Sequence, residues 1–206
     1  MNKRGTIDLI CGPMYSGKTS EMYRRLKRLE YAGEKYILFK PQLDNSSPND
    51  ESEITHKPAI PVESADAILF FMGNKYPDIN VVAIDEAQFF SKAEKKNLLD
   101  VCLTLKKRDY KVLICGLDMD YHGNPFGLMP ELMAVANTVH KLTAICMFPN
   151  CREEAEMSYK SKVTEEQIIE GNVIELGEKD NYEARCFEHW SDCSLFDSHK
   201  EDNPKE

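Results

Sequence analysis

Eight residues near the start of the chain have the types and spacing of a phosphate-binding loop. They fit the pattern G-x-x-x-x-G-K-[ST] and directly follow the mostly apolar run Ile7–Cys11. The glycines let the backbone curl, so that successive N–H groups and a helix N-terminus can hold phosphate oxygens. The lysine then reaches the terminal phosphates, and the hydroxyl after it is placed to ligate magnesium. The pattern predicts binding of a nucleoside triphosphate by Gly12, Pro13, Met14, Tyr15, Ser16, Gly17, Lys18 and Thr19.

Two adjacent carboxylates follow a second apolar run, Val81–Ile84. We expect Asp85 to face the metal on the phosphates, directly or through water. Glu86 is then placed to take a proton from an attacking hydroxyl. An isolated Asp-Glu pair could equally cap the next helix. A phosphate loop in the same chain favours the catalytic interpretation.

A third group of residues could hold a metal ion in the C-terminal quarter. Two close pairs of thiolate and imidazole ligands fit a tetrahedral structural zinc site. Cys193 follows closely and is an alternative to the histidine. The competing interpretation is a set of scattered buried cysteines. The predicted ligands, in the spacings C-x4-C and C-x2-H, are Cys146, Cys151, Cys186 and His189.

These motifs need a scaffold in which β-strands alternate with helices. The alternation favours an α/β fold with a parallel sheet covered on both faces. Ligands of such sheets bind at the carboxyl ends of the strands. The predicted strands are Ile7–Cys11, Tyr36–Phe39, Val81–Ile84 and Val112–Cys115. The predicted helices are Ser20–Ala32, Ala65–Met72, Lys92–Arg108 and Leu128–Ala136.

The remaining segments are predicted to be loops or a second unit. The polar stretch Pro41–Pro61 has little to bury, and we expect it to be mobile. Gly123 and Pro125 indicate a loop over Leu117–Phe126. From about residue 138 short β-like runs alternate with Cys, Pro and Gly, with His140 opening a strand. We therefore divide the chain into a nucleotide-binding domain (1–138), a metal-binding domain (139–193) and a disordered polar tail (194–206).

Composition narrows the class of protein. The chain has 206 residues, a hydrophobic fraction of 42% and a net charge of −9. Nucleic-acid binding requires clustered positive charge, so the acidic balance predicts no nucleic-acid partner. No apolar run is long enough to span a bilayer and the N-terminus has no signal peptide, so we expect a cytoplasmic protein without a membrane partner. In that compartment the 7 cysteines are expected to be thiols or metal ligands.

With these segments placed, the chain resembles the type II thymidine kinases. The resemblance implies a P-loop RecA-like core with a mostly parallel sheet flanked by helices, and a small C-terminal zinc-binding domain with a lasso loop. It covers almost the whole chain. The matching segments are Gly12–Thr19, Ile84–Phe90, Gly116–Asp118, Gly123–Phe126, Lys141–Cys146 and Tyr182-x3-Cys186-x2-His189.

The resemblance also implies an activity and its residues. The reaction is transfer of the γ-phosphoryl of ATP to the 5′-hydroxyl of thymidine or deoxyuridine in pyrimidine salvage, with Glu86 as general base. Asp85 and Gln88 join the phosphate loop in binding Mg²⁺-ATP, with Thr19 on the magnesium, and the zinc is structural. The resemblance further implies a homotetramer and feedback inhibition by dTTP. The implied nucleoside-binding residues are Met14, Phe89, Leu117, Tyr121, Phe126, Ser158, Val173, Ile174, Gly177 and Tyr182.

Two positions depart from the family pattern. Ser46 and His122 stand where many relatives have arginine, and an arginine that stabilises the transferring phosphoryl group is worth about 10³-fold or more in rate. Either Arg24, Arg25 or His56 compensates, or catalysis is slow. Two alternatives therefore remain: a catalytically weakened nucleotide sensor, and a zinc-ribbon P-loop ATPase that acts on DNA.

Overall fold

A six-stranded sheet forms the centre of the protein. The computed structural model describes residues 4–42, 59–74, 78–160 and 181–191. The strands of this sheet are β1 (Thr6–Cys11), β2 (Tyr36–Pro41), β3 (Ile60–Val62), β4 (Val81–Ile84), β5 (Lys111–Gly116) and β6 (Thr138–Lys141). Their order is β3-β2-β4-β5-β1-β6, and every pairing is parallel. The predicted α/β fold with a mostly parallel sheet is thus confirmed.

Helices cover both faces of the sheet, because successive strand residues point to opposite sides. Ile7 and Leu9 of β1 pack into one apolar cluster, whereas Ile10 packs into the other with Met22 and Leu26. The first helix lies alone on that second face, and the other three share the first face. The helices are α1 (Lys18–Tyr31), α2 (Ala65–Asn74), α3 (Leu98–Lys107) and α4 (Met129–Val135).

The C-terminal segment builds a small lobe from two antiparallel pairs of strands. Strands β7 (Ala144–Ile145) and β8 (Glu154–Ala155) pair with each other, as do β9 (Met157–Lys160) and β10 (Tyr182–Arg185). A short helix, α5 (Phe187–Ser191), follows. Within the described residues, none of the helices has the length and apolar character needed to cross a bilayer.

One predicted helix begins too early. The helix predicted over Lys92–Arg108 starts at Leu98, and the residues before it form turns. The buried positions of α3 run from Leu98 to Leu105, so the charged stretch ahead of them has no apolar side to bury. Asn97 ends that stretch because its side chain accepts the Asp100 N–H, which is the bonding of a helix N-cap.

The sequence patterns did not indicate the edge strand β3, and they placed the start of the other edge strand, β6, too late. The predicted loop Pro41–Pro61 ends in β3, which pairs with β2, while its residues 43–58 lie outside the described part of the chain. Strand β6 begins at Thr138 rather than at His140. Edge strands this short carry little periodicity of their own. The other predicted strands and helices are confirmed to within two residues at each end.

Replacing the cap of α3 tests its start. Asn97→Ala should lower the free energy of unfolding by about 1 kcal/mol, because the Asp100 N–H loses its partner. Denaturant titration measures the change. Asn97→Asp keeps an acceptor at the same position and should stay close to wild type. Equal losses in both variants would contradict the capping role.

Candidate functional site

The predicted phosphate loop connects β1 to α1 at the carboxyl end of the sheet. Gly17 has φ +79°, in the left-handed region that favours glycine, and α1 begins directly after it. The Lys18 ammonium donates to the Pro13 carbonyl over 2.6 Å, and the Ser16 hydroxyl donates to the same oxygen over 2.8 Å. Lys18 is thereby held against its own loop. Burial lowers the pKa of its amine, against the opposing charges of Glu86 and Asp85 among other groups.

The two predicted carboxylates follow β4, two strands from the phosphate loop. Asp85 accepts the Thr19 hydroxyl over 3.4 Å through Oδ2 and the Glu86 N–H over 2.9 Å through Oδ1. Burial, and secondly the charge of Glu86, raise the pKa of Asp85 from 3.8 to about 6. Thr19 and Asp85 thus provide two hard oxygen donors side by side, which is the donor chemistry that Mg²⁺ prefers.

The buried Gln88 side chain holds the Glu86 carboxylate through a hydrogen bond. Only 2% of Gln88 is exposed. Its amide nitrogen donates to Glu86 Oε2 over 2.6 Å, and its amide oxygen accepts the Leu117 N–H over 3.0 Å. Glu86 itself has φ +53°, an uncommon backbone conformation for a residue with a side chain. The carboxylate is therefore held in one orientation by the loop that follows β5.

The predicted nucleoside-binding residues in the described part of the chain come together as two aromatic pairs and a polar contact. The rings of Phe89 and Phe126 meet edge to face, with centroids 5.6 Å apart. Those of Tyr121 and Tyr182 lie 6.3 Å apart. Aromatic walls of this kind suit a flat, neutral ring. The buried Ser158 hydroxyl accepts the Met14 N–H over 3.0 Å, which joins the small lobe to the phosphate loop.

Three predicted nucleoside-binding positions cannot be placed. Val173, Ile174 and Gly177 lie outside the described residues, as do Ser46, His56 and Cys193. Their predicted roles stay predictions. Of the cations considered as replacements for the family arginines, both Arg24 and Arg25 donate to Glu21 over 2.6 to 2.8 Å. The His122 ring lies against that of its neighbour Tyr121, tilted by 38° with the ring centroids 4.0 Å apart.

The four predicted metal ligands form one cluster. Their ligand atoms all lie within 4.8 Å of one another. His189 Nδ1 is 3.7 Å from Cys146 Sγ and 3.1 Å from Cys186 Sγ. Ligand atoms around one tetrahedral zinc ion lie about 3.5 to 4 Å apart, so the residues fit a structural zinc site of three thiolates and one imidazole. This confirms the predicted set, with His189 in the cluster.

The elements around the cluster explain its geometry. Cys146 follows β7 and begins a turn in which the Cys151 N–H donates to the Phe148 carbonyl over 3.0 Å. Cys186 and His189 lie at the end of β10 and in α5. The Phe148 ring stacks on the His189 imidazole at a centroid distance of 4.0 Å and so orients it. The apolar cluster around these ligands consists of alanines and the ligand cysteines themselves. Side chains this small bury little apolar area, so the lobe needs a bound metal ion to stabilise its fold.

Two charged pairings near the site were missed by the sequence analysis. Lys160 is 2% exposed, with its ammonium 5.4 Å from the Tyr121 ring centroid and 6.0 Å from that of Tyr182. Lys141 pairs with the buried Asp118 over 2.8 Å, and this hydrogen bond raises the pKa of Lys141. No signal in the chain marks a lysine for burial. Asp118 lay in a matched segment without an assigned role.

Comparison with known proteins decides the family. The sequence model of the family described as thymidine kinase matches residues 5–190. The chain belongs to the thymidine kinase family. It is 40% identical over 190 residues to a thymidine kinase of Bacteroides thetaiotaomicron, covering 90% of this chain and 87% of the relative. Thymidine kinases from two strains of Bacteroides fragilis are 39% identical over the same shares of each chain. The residues described above therefore belong to a chain of the thymidine kinase family.

The raised pKa of Asp85 predicts a pH-dependent stability. The folded protein holds the Asp85 proton up to about pH 6 and the unfolded chain only to about pH 4, so this group lowers stability as the pH rises through that window. Without magnesium or nucleotide, Asp85→Asn should be more stable than wild type at pH 7.5 by about 1 to 3 kcal/mol. The gain should shrink towards pH 5. Denaturant titrations at several pH values measure it.

The control for this prediction is another aspartate at the surface. Asp78 is 76% exposed and pairs with the exposed Lys35. Asp78→Asn should therefore change stability by less than about 0.5 kcal/mol at every pH. An Asp85→Asn variant that is less stable than wild type at pH 7.5 would contradict the cost assigned to the buried carboxylate.

The metal cluster predicts one zinc per chain. His189→Ala should release most of the zinc from the purified protein, because it removes one of the four ligands. Cys193→Ser is the matched control and should retain one equivalent. Elemental analysis of the dialysed proteins measures the ratio. Zinc loss in Cys193→Ser with retention in His189→Ala would replace His189 by Cys193 as the fourth ligand.

Proposed function

We propose that this protein transfers the γ-phosphoryl group of ATP to the 5′-hydroxyl of thymidine, and also of deoxyuridine. The observation that carries the proposal is the position of Glu86. Its carboxylate stands at the carboxyl end of β4, and Gln88 joins it to the first residue of the loop after β5. A general base must lie between the phosphate donor and the acceptor hydroxyl, and this position is adjacent to both predicted binding regions.

The chemistry assigned to the chain follows from these positions. Glu86 takes the proton of the 5′-hydroxyl while the hydroxyl oxygen bonds to the γ-phosphorus. The bond from that phosphorus to the β,γ-bridging oxygen breaks, and ADP leaves. Lys18 and the loop N–H groups stabilise the negative charge on the phosphate oxygens. Thr19 and Asp85 would hold Mg²⁺, which neutralises phosphate charge when bound. The proton on Glu86 passes to water afterwards.

Selectivity for the base is assigned to the aromatic pairs and the small lobe. Phe89 and Phe126 supply walls for a single flat ring, and a pocket of that size excludes purines. Backbone groups of the lasso loop, with Val173, Ile174 and Gly177, pair with thymine N3–H and O4 and disfavour the amino group of cytosine. Met14 contacts the thymine methyl group, and Leu117, Tyr121, Ser158 and Tyr182 complete the pocket.

The proposal extends to the wider properties of the enzyme. It acts in the cytoplasm as a homotetramer, and dTTP inhibits it because one molecule carries both a thymine and a triphosphate. The nucleotide-binding unit is 1–138, the zinc-binding unit is 139–193 and 194–206 is a tail. The net charge of −9 supports the absence of a nucleic-acid partner.

Removing the base tests the reaction. Glu86→Gln should lower kcat for thymidine by about 10²- to 10⁴-fold, since the amide cannot accept the proton. Transfer of labelled phosphate from ATP to thymidine measures the rate, and binding of thymidine should change little. The matched variant is Glu94→Gln. Glu94 accepts the Ala65 N–H at the start of α2 and has no part in the proposed reaction, so this variant should keep wild-type turnover.

Phosphate transfer, dTTP binding and ATP hydrolysis together separate the proposed function from its alternatives. Transfer to no pyrimidine deoxynucleoside by the wild type would contradict the proposal. Tight dTTP binding without turnover would then indicate a nucleotide sensor. Hydrolysis of ATP stimulated by DNA would indicate an ATPase that acts on DNA.

A further inference from the structure

The single tryptophan of the chain lies between the metal cluster and the nucleoside pocket. Trp190 is next to the ligand His189 in α5 and is 6% exposed. Its indole Nε1–H donates to the Tyr121 carbonyl over 3.2 Å, across 69 positions of sequence. This hydrogen bond is buried, so the carbonyl has no water to replace the indole if it is removed.

The loop after β5 is shaped to receive the indole ring. Gly123 has φ +81°, and a Cβ atom there would lie 2.5 Å from Trp190 Cη2 and 2.7 Å from Cζ2. Contacts of that length are impossible between real atoms, so only glycine lets the loop approach the ring. Met157 of β9 lies on the same spot, with its methyl carbon 3.3 Å from that Cβ position. The loop is therefore packed on the indole as well as hydrogen-bonded to it.

The other side of Tyr121 is held by the same lobe. The Lys160 ammonium of β9 lies 5.4 Å from the Tyr121 ring centroid, and Tyr182 of β10 lies 6.3 Å from it. The backbone of Tyr121 is thus set by α5 and its ring by β9 and β10. A helix as short as α5 is not stable alone, and two of the metal ligands, Cys186 and His189, fix where it starts and how it turns.

We propose that Trp190 is a positioning residue for nucleoside binding: it transmits the geometry of the Cys/His cluster to the Tyr121 wall of the base pocket. Zinc then has a second effect besides stability, because it holds the helix that places one wall of the acceptor site. The small lobe contacts the phosphate loop through a different residue, Ser158, whose hydroxyl accepts the Met14 N–H, whereas Trp190 bonds Tyr121 in the loop after β5. Trp190 therefore acts on the acceptor nucleoside and not on ATP.

The inference rests on the proposed function, and steady-state kinetics test both. Trp190→Phe keeps an aromatic ring and removes the N–H donor. We expect the KM for thymidine to rise about tenfold, the effect of leaving one buried carbonyl unpaired. The KM for ATP and kcat should stay within about twofold, and the zinc content should stay at that of wild type. Glu188→Gln, at an exposed position of the same helix, is the control and should match wild type throughout.

Fluorescence gives a readout independent of turnover. Because Trp190 is the only tryptophan, its emission reports this contact directly. Titration with thymidine should change the emission, and titration with ADP should not. Gly123→Ala should shift the emission to the red and raise the KM for thymidine, since the added methyl group displaces the ring. In the Trp190→Phe background the same Gly123→Ala change should raise the KM for thymidine by a smaller factor.

Each outcome decides between the two proposals. An active wild type with an unchanged thymidine KM in Trp190→Phe would overturn this inference alone. Loss of zinc, or equal changes in both KM values, would make Trp190 a structural residue of the lobe and would also overturn it. An active wild type whose thymidine KM alone rises supports it. A wild type inactive on every pyrimidine deoxynucleoside would overturn the proposed function and this inference together.

Discussion

Parallel pairing of β4, β5 and β1 is the constraint on which the site depends. Parallel strands end at the same edge of a sheet, so the segments that follow these three strands must meet there. The phosphate loop follows β1, the carboxylates follow β4 and the aromatic loop follows β5. Gln88 then connects two of the three through hydrogen bonds to Glu86 and Leu117. The candidate base is thus positioned by buried hydrogen bonds on a rigid sheet rather than by a loop alone.

Buried charge is the second determinant of the site. Taking an ion out of water costs several kcal/mol unless a partner offsets the loss. The Lys18 ammonium donates a hydrogen bond to the Pro13 carbonyl, and the pKa of Asp85 is raised because the carboxyl group is buried beside Glu86. Burial disfavours the charged forms of both groups. An anionic phosphate would stabilise charged Lys18, and a divalent cation would stabilise charged Asp85.

The small lobe solves a different problem. The apolar cluster around its metal ligands consists of alanines and the ligand cysteines, which bury little apolar area. The Cys/His cluster adds to that small core and fixes α5 at one end. Through Ser158 the lobe contacts the phosphate loop, and through Trp190 it contacts the aromatic loop. The lobe that carries the metal-ligand cluster thereby contacts both the predicted donor site and the predicted acceptor site.

Local patterns located the candidate reactive groups in the chain. The phosphate loop and the Asp-Glu pair are contiguous, so backbone geometry alone brings their groups together, and ligand spacing predicted the metal cluster. The start of α3, the strand β3 and the first residues of β6 escaped prediction because a local asparagine cap and pairing to β2 and β1 decide them. The sequence by itself thus determined which reactive groups exist and which strand ends carry them. Their orientation was decided only by tertiary contacts between residues 29 and 69 positions apart, such as Gln88 with Leu117 and Trp190 with Tyr121. Such contacts depend on which surfaces are buried together, and burial is a property of the whole fold.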